Sequence, residues 1–413
     1  MLIEFSVNNF GSYNEEQRFS MVADGASPLT WETGFNVCPH ANIVAGIYGP
    51  NASGKSNLTK SMFWMKSFVK KGFSNAPEDE IKLNPFLLSK KSQKKPSSFE
   101  VTFIYEDTLY RYGFELDSSR VYKEWLYSIS KEGQRQTWKT ELEREYVPSS
   151  QSYNYKPSSL KKTWKTKRAN ALSLAVAAIE EDEKLAKDIY NWFSNYWRVT
   201  NNRIATAFTI EKLKDENYCD SINSLIKRAD IGIKSFREIE IDEDESMTFP
   251  DAMPEELRQY LKSISNSGKT LEFEHNSKDE NYNKLILSQQ SDGTRTFLGL
   301  AGPIVDVLTK GYTLTVDELD RSLHPHLVME IINLFTDRKL NSKGAQLIFT
   351  AHNTQFMDAL NRDAIWITEK NDVGESTIKS ILEYKPRAET SIQKNYNMGR
   401  YGGIPHITNL INK

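Results

Sequence analysis

The most informative segment of this 413-residue chain is Gly49-Pro50-Asn51-Ala52-Ser53-Gly54-Lys55-Ser56. It matches G-x-x-x-x-G-K-[ST], a pattern in which glycines let backbone N–H groups turn inward around phosphate groups. The segment follows an apolar run at 43–48 and precedes a helical pattern at 55–70, which is the strand-to-helix context that this loop requires. Because chance would produce such a match on the order of 0.01 times in this composition, the segment predicts a phosphate-binding loop.

The residue types in the loop indicate the ligand. Lys55 is expected to reach the β- and γ-phosphates, and the Ser56 hydroxyl is expected to ligate Mg²⁺. We expect ATP with Mg²⁺, partly because the chain has no Asn-Lys-x-Asp motif for reading guanine. The predicted nucleotide-binding residues of the loop are Gly49, Pro50, Asn51, Ala52, Ser53, Gly54, Lys55, Ser56 and Asn57.

Composition argues against several other classes of protein. With 53 Lys+Arg against 55 Asp+Glu, the chain has no global basic field for nucleic acid or membrane. Two cysteines, Cys38 and Cys219, cannot form a disulfide framework or a zinc site. Apolar runs such as 171–179 are too short to span a bilayer, and the N-terminus lacks the basic region of a signal peptide. We therefore expect a soluble, cytoplasmic protein without a membrane partner.

The hydrophobic pattern changes along the chain. Strand-like runs at 98–105, 109–115 and 121–130 predict an antiparallel β lobe, whereas 169–236 has a helical pattern and 237–283 is acidic and loop-rich. From 284 onward, strands alternate with helices, which is typical of a mostly parallel sheet. The predicted strands there are 284–287, 313–316, 345–350 and 364–368, and the predicted helices are 293–309, 326–338 and 353–361.

The predicted fold is therefore α/β, with a mostly parallel sheet carrying the phosphate loop, an antiparallel β lobe and a helical insertion. The expected domains are 1–168, 169–236 and 237–413, the first and third being the two halves of one α/β domain.

Two carboxylates end the apolar strand Thr313–Val316. Asp317 is placed to hold Mg²⁺ opposite the phosphate loop, and Glu318 to act as general base toward an attacking water. His352 follows the next predicted strand, where it could bind a γ-phosphate. Ser291 and Gly293 open a helix, and two interpretations of them stay open at this point: an ordinary N-cap or a phosphate-binding helix end.

The order of these motifs resembles the ABC-type ATPase heads of the SMC and RecF group. The start of the chain, Asn9-Phe10-Gly11-Ser12-Tyr13, resembles that group's Asn-Phe-Arg-Ser-Phe element, with Gly11 in place of arginine. Ser291 and Gly293 correspond to two positions of its Leu-Ser-Gly-Gly-Gln signature. The segment after Glu318, Leu319-Asp320-Arg321-Ser322-Leu323-His324-Pro325, resembles overcoming-lysogenisation-defect (OLD) ATPases. Residues 84–88 lie where the group's Q-loop is expected, without a convincing glutamine.

A more specific resemblance is to the ATPase subunits of bacterial abortive-infection and anti-phage systems, namely AbiLi-like proteins and the ATPase of PARIS-type systems. The segments that carry it include PFLLS at 85–89, RADIGI at 228–233, VDELDRSLHP at 316–325, FTAHNT at 349–354 and GRYGGIP at 399–405. The resemblance implies a separately encoded effector, expected to be a TOPRIM-type nuclease, and a phage-encoded trigger. Because 61 residues follow His352, fewer than the roughly 100 that such a domain needs, we expect no nuclease domain after the ATPase head.

The resemblance to ABC-type heads implies a homo-oligomer, at least a dimer, in which Ser291 and Gly293 of one copy complete the Lys55 site of another. The insertion at 169–236 would either cover the sheet or dock a partner, the latter if Trp192, Phe193 and Trp197 are exposed. Basic runs at 90–95 and 161–168 could contact nucleic acid, the second because it includes an aromatic residue. Two alternatives remain: an SMC/RecF-like ATPase acting directly on DNA, and a scaffold whose nucleotide is only structural.

Overall fold

The computed structural model describes residues 1–72, 76, 78–132, 136–201, 205–229, 232–240, 269–278, 283–386 and 391–404. Most of the predicted acidic loop at 237–283 lies outside these residues, as does Pro405. The chain divides into two compact units: Met1–Asn201 with Val307–Arg321 and Pro325–Lys413, and Asn202–Asp306 with Ser322–His324. The domain limits expected from the sequence stay a prediction.

The described helices are α1 (Lys55–Lys71), α2 (Ser173–Ile179), α3 (Lys184–Asn191), α4 (Ala205–Lys212), α5 (Glu216–Ala229), α6 (Asp292–Lys310), α7 (Pro325–Thr336) and α8 (Ile392–Asn397). The described strands are β1 (Leu2–Asn8), β2 (Gln17–Ser20), β3 (Thr30–Glu32), β4 (His40–Asn42), β5 (Val44–Tyr48), β6 (Ser97–Tyr105), β7 (Thr108–Leu116), β8 (Val121–Ser130), β9 (Lys139–Val147), β10 (Ser152–Lys156), β11 (Trp197–Asn201), β12 (Ile233–Glu240), β13 (Lys269–His275), β14 (Lys284–Ile286), β15 (Thr313–Asp317), β16 (Gln346–Thr350), β17 (Ile365–Lys370) and β18 (Ser376–Ser380). No described helix combines the length and hydropathy needed to cross a membrane.

The first unit is built on a six-stranded sheet in the order β11-β15-β16-β5-β17-β18. Its first five strands are parallel, and β18 pairs antiparallel with β17. Strands β5 and β16 are buried at every residue, as expected for inner parallel strands covered on both faces. Because the carboxyl ends of parallel strands share one edge, the loops after β5, β15, β16 and β17 meet there.

The antiparallel lobe is a second sheet of the same unit, in the order β10-β9-β8-β7-β6-β1-β2. Along β1 the side chains of Phe5 and Val7 are buried between partly exposed neighbours, which is the alternation of a sheet with one packed face. Helix α1 contacts both sheets, and its buried Leu58, Met62 and Met65 recur at helical spacing. The prediction of a mostly parallel sheet beside an antiparallel lobe is confirmed.

The region predicted to be helical from 169 to 236 is interrupted by a strand. After α2 and α3 the chain makes a π-helical turn at Trp192–Tyr196, and β11 then joins the parallel sheet beside β15. The side chains of Trp192, Phe193 and Trp197 are fully buried, and Trp192 stacks on Phe103 at 3.8 Å between ring centroids. The condition under which these three residues would support a docking surface is therefore not met, because their large apolar area is buried in the core.

The basic run at 161–168 does not offer an aromatic surface on which a nucleic-acid base could stack. Trp164 is buried in the main core, so its ring is not available to a nucleic-acid base. Lys161 is bound to Glu183 at 2.9 Å. The spacing of these residues could not show that Trp164 is buried, because lysines also alternate with aromatic residues where a segment packs along the edge of a hydrophobic core.

The second unit contains a three-stranded antiparallel sheet, β12-β13-β14, together with α4, α5 and α6 up to Asp306. The strand predicted at 284–287 belongs to this sheet rather than to the parallel one, because β14 pairs with β13. The Thr209 hydroxyl of α4 donates to Gly299 O and accepts from Gly302 N of α6. In the first unit, the helix predicted at 353–361 is a 3₁₀ turn at Thr354–Ala359.

Candidate functional site

The phosphate loop leaves the central strand β5 and enters α1. Gly49 and Gly54 have φ values of +150° and +119°, which favour glycine. A Cβ at Gly49 would overlap the Thr368 backbone of β17, and one at Gly54 would overlap Ser376 of β18. The two glycines of the motif are therefore required both by backbone conformation and by close packing against the neighbouring strands.

The loop presents unpaired hydrogen-bond donors. Within the described residues, the backbone N–H groups of Ala52, Gly54, Lys55 and Ser56 have no protein acceptor, and neither does the Ser56 hydroxyl. These donors lie at the N-terminus of the 17-residue helix α1, where the helix dipole favours negative charge. The arrangement fits a polyphosphate, as the motif predicts.

The Lys55 side chain is hydrogen-bonded to the backbone of the phosphate loop. Its Nζ donates to Gly49 O at 2.6 Å and to Pro50 O at 3.0 Å. Burial lowers the pKa of Lys55 to about 8, although the nearby carboxylates of Asp320, Asp317 and Glu318 act in the opposite direction. The lysine and the acidic residues predicted from distant parts of the sequence thus lie within electrostatic range of one another.

The acidic end of β15 is fixed by a threonine from the neighbouring strand. The Thr350 hydroxyl donates to Asp317 Oδ1 at 2.8 Å and accepts from Glu318 N at 2.7 Å. Glu318 has a φ of +54°, an uncommon conformation for a non-glycine residue. Its carboxylate accepts from Arg321 at 2.9 Å. The side chain predicted to be the general base is therefore oriented by both its strained backbone and an arginine.

Asp320 connects the acidic end of β15 to the segment after β16. Its Oδ2 accepts from His352 N at 2.9 Å and from Asn353 N at 2.7 Å. The His352 side chain is exposed and has no hydrogen-bond partner within the described residues. The predicted histidine is thus positioned through its backbone, and its ring stays available at the same sheet edge.

Several residues that support the loop were not identified from the sequence. The hydroxyl of Thr368 contacts Ser53 Oγ at 2.6 Å and donates to Tyr48 O at 3.2 Å. Tyr13 OH donates to Gly54 O at 3.0 Å. For Thr368 the available signal was its position at the end of a predicted strand, and many strands end in threonine.

Ser12 provides a second support, on the other side of the loop. Its Oγ accepts from Asn57 Nδ2 and from Ser376 Oγ, both at 2.7 Å. Asn57, predicted to bind nucleotide, therefore uses its side-chain amide to join α1 to the N-terminal segment and β18. The resemblance of residues 9–13 to a known element indicated that this segment matters, but not what it contacts.

Ser291 and Gly293 belong to the second unit. Ser291 Oγ accepts from Thr294 N at 3.1 Å, so it serves as the N-cap of α6. A Cβ at Gly293 would lie 3.0 Å from Ser322 O. The N-cap interpretation is thus observed, and participation in a phosphate site of another copy stays a prediction.

The strand order, the phosphate loop after the central strand and the antiparallel lobe agree with the predicted α/β fold of an ABC-type ATPase head. The chain belongs to the family described as AAA domain, putative AbiEii toxin, type IV toxin–antitoxin system, whose profile matches residues 44–358. Nucleotide binding is implied by that family. The individual roles of the site residues remain predictions.

Among solved structures, the chain is similar to three SMC heads. The SMC head domain from Thermotoga maritima is 16% identical with a TM-score of 0.41, over 92% of this chain and 98% of that one. An SMC head bound to the C-terminal winged-helix domain of ScpA is 15% identical with a TM-score of 0.47, over 92% and 97%. A Pyrococcus furiosus SMC head with an extended coiled coil, bound to the C-terminal domain of ScpA, is 13% identical with a TM-score of 0.43, over 96% and 98%. No curated protein matches the sequence significantly.

Proposed function

We propose that this chain is the ATP-binding and ATP-hydrolysing subunit of a bacterial abortive-infection system, in which it controls a separately encoded toxic effector. The observation that supports hydrolysis is the position of Lys55 beside Asp317, Glu318 and Asp320, with unpaired loop amides next to it. The family's description as a putative AbiEii toxin supports the connection with abortive infection. In this proposal the protein is cytoplasmic.

In this proposal each site residue has its own role in ATP binding or hydrolysis. Loop amides and Lys55 hold the phosphates of ATP, and Ser56 and Asp317 supply oxygen ligands for Mg²⁺. When bound, Mg²⁺ neutralises phosphate charge. Glu318 accepts a proton from water, and His352 donates toward the terminal phosphate. Ser291 and Gly293 come from a second copy, so the working unit is at least a dimer.

The Arg321–Glu318 contact indicates a low basal turnover. While Arg321 donates to Glu318 Oε2 at 2.9 Å, this carboxylate oxygen is engaged by the arginine and is less accessible to an attacking water. Arg321 must therefore move for rapid hydrolysis. A phage-encoded trigger or the effector supplies that movement in this proposal, and the effector is a TOPRIM-type nuclease, as in the AbiLi-like and PARIS-type systems that the sequence resembles.

Phosphate release by the purified chain tests the enzymatic part. We expect Glu318→Gln to bind nucleotide but to lose about 100-fold or more in turnover, the usual contribution of a general base. Glu330→Gln, at an exposed position of α7, is the matched control and should keep wild-type turnover. Equal turnover in Glu318→Gln and wild type would contradict the assignment and favour a structural role for the nucleotide.

The defence function is tested by phage plating on cells that express the chain with its gene neighbour. Protection is expected for wild type and should be lost in Lys55→Met and Glu318→Gln. Tight, salt-sensitive binding of duplex DNA by the purified chain would instead favour an SMC/RecF-like ATPase acting directly on DNA.

A further inference from the structure

The most exposed large apolar side chains of the described residues lie together on the first unit. They are Leu88, Val373 and Leu87, with exposed fractions of 71%, 64% and 60%. Leu88 lies against the β17–β18 turn, because a Cβ added at Gly374 would overlap Leu88 Cδ1. Residues 84–96 and the turn 371–375 therefore form one surface, called here the leucine–lysine surface.

The buried side-chain amide of Asn9 helps to hold this surface in place. Asn9, which is buried, donates from Nδ2 to Ser92 O and Lys95 O, both at 2.8 Å, and accepts from Phe86 N at 3.1 Å. Leu87 and Leu88 are therefore presented by a fixed backbone, which reduces the entropy lost when a ligand binds.

Asn14 joins the two parts of the surface. Its Nδ2 donates to Glu375 Oε1 at 2.6 Å, and its Oδ1 accepts from Ser92 Oγ at 2.5 Å. Asn371 caps the turn by accepting from Glu375 N at 2.8 Å and from Val373 N at 3.2 Å. The turn that exposes Val373 is thus tied to the segment that exposes the leucines.

Four exposed lysines surround the leucines in the same segment. None of them forms an ion pair with any residue that the structure describes, and they are Lys90, Lys91, Lys94 and Lys95. The turn carries two acidic residues, of which Glu375 is engaged by Asn14 and Asn371 and Asp372 is exposed. The surface consequently has an aliphatic centre and an excess of positive charge.

We propose that the leucine–lysine surface binds a segment of another protein that carries acidic and apolar side chains together. Acidic groups complement the four lysines, and apolar groups cover Leu87, Leu88 and Val373. A nucleic acid would be complementary only to the four lysines of the surface. Single strands gain binding free energy by stacking bases on aromatic side chains, and Phe86, the one aromatic residue of 84–96, is buried. This inference rests on the proposed function only for the identity of the partner, which would be the separately encoded effector.

The surface is connected to the nucleotide loop through the N-terminal segment. Gly11 N donates to Asn84 O at 2.8 Å, and the next residue, Ser12, contacts Asn57 of α1. A partner on the surface would therefore contact a segment that is hydrogen-bonded to Gly11, the neighbour of the loop-supporting Ser12. If binding of the partner changes the affinity for nucleotide, then binding of nucleotide must change the affinity for the partner by the same factor.

A randomised peptide library displayed on phage, selected against the full-length chain, tests the proposal. Enriched peptides should combine Asp or Glu with large apolar residues. Their affinity, measured by fluorescence polarisation after resynthesis, should fall at least tenfold both in Leu87→Ser/Leu88→Ser and in Lys90→Ser/Lys91→Ser/Lys94→Ser/Lys95→Ser. The matched control, Lys339→Ser/Leu340→Ser, removes an exposed lysine and leucine elsewhere and should bind as wild type.

Nucleotide binding and the melting temperature, measured for every variant, show that each is folded. Failure to enrich acidic, apolar peptides, or equal binding by all variants, would overturn the proposal. If the fourfold lysine-to-serine variant loses oligonucleotide binding rather than peptide binding, the surface would be assigned to nucleic acid. If the Leu87→Ser/Leu88→Ser variant loses self-association, the surface would be assigned to a second copy. ATP turnover measured in parallel keeps these outcomes separate from a failure of the ATPase assignment.

Discussion

At the scale of single residues, the site depends on side chains whose charge is set by burial. Lys55 is the clearest example, because desolvation lowers its pKa to about 8 while three carboxylates partly compensate. A phosphate ligand adds negative charge beside the ammonium group and so favours its protonated form. Nucleotide binding and the protonation of Lys55 are therefore linked.

We predict that nucleotide binding above pH 8 takes up a proton and that affinity falls as pH rises through about 8. The free lysine is largely neutral above its pKa, while phosphate groups, with a second pKa of about 6, are already ionised there. Calorimetric titration at pH 8.5 in buffers of different ionisation enthalpy measures the uptake. Lys66→Met is the control, since Lys66 is a partly buried lysine of α1 whose pKa is lowered to about 7 by desolvation and which binds Trp197 O rather than the loop. Binding without proton uptake would contradict the linkage.

Thr368 gives a second prediction at this scale, because its hydroxyl holds the phosphate loop through Ser53 and Tyr48. Thr368→Val keeps the shape but removes these bonds, which should weaken nucleotide binding by about tenfold, or ~1.4 kcal/mol, with little change in melting temperature. Thr377→Val on β18, which breaks no such contact, is the control. A normal affinity in Thr368→Val, measured by equilibrium titration, would show that the loop keeps its conformation without the threonine.

At the scale of secondary-structure elements, a buried ion pair fastens the start of the helical region to the antiparallel lobe. Glu124 and Arg144 are fully buried and 3.6 Å apart. Glu124 accepts from Ser173 N and Leu174 N at the N-terminus of α2, and Arg144 donates to Ala171 O at 2.7 Å. The pair thus satisfies backbone groups that α2 and the preceding loop would otherwise bury unpaired.

Arg144→Met is therefore expected to destabilise the chain by roughly 3–5 kcal/mol, because Glu124 would be left as an uncompensated buried charge. Urea unfolding should show a lower midpoint with an unchanged slope. Lys139→Met removes the Lys139–Glu141 pair on the same strand, in which the lysine is exposed, and should cost less than about 1 kcal/mol. Similar midpoints for the two variants would show that the buried pair contributes no more than a surface pair.

At the scale of the whole molecule, the proposed site is shared between copies. Lys55 and Glu318 belong to the first unit and Ser291 to the second, where its hydroxyl caps α6. In a twofold dimer each copy would give its phosphate loop to one site and its Ser291 to the other.

We predict that Lys55→Met and Ser291→Arg are each inactive alone and recover part of the turnover when mixed. A mixed dimer would retain one intact site, composed of Lys55 from one copy and Ser291 from the other. Steady-state phosphate release over a range of mixing ratios is the measurement. Ser342→Arg, at an exposed loop position, is the control and should be active by itself. A mixture as inactive as its components would exclude a site shared in this way.

The sequence by itself determined where the phosphate loop lies, because the spacing of Gly49, Gly54, Lys55 and Ser56 is local and follows from the geometry of a strand, a loop and a helix. The parallel sheet followed in the same way from alternating apolar and helical patterns. Only the tertiary structure decided which distant residues support the loop, since Thr368 and Ser376 approach it through sheet pairing and Ser12 is hydrogen-bonded to Ser376. It also decided which apolar side chains are covered, burying Trp192 and exposing Leu88, because burial depends on the packing partners that the fold supplies.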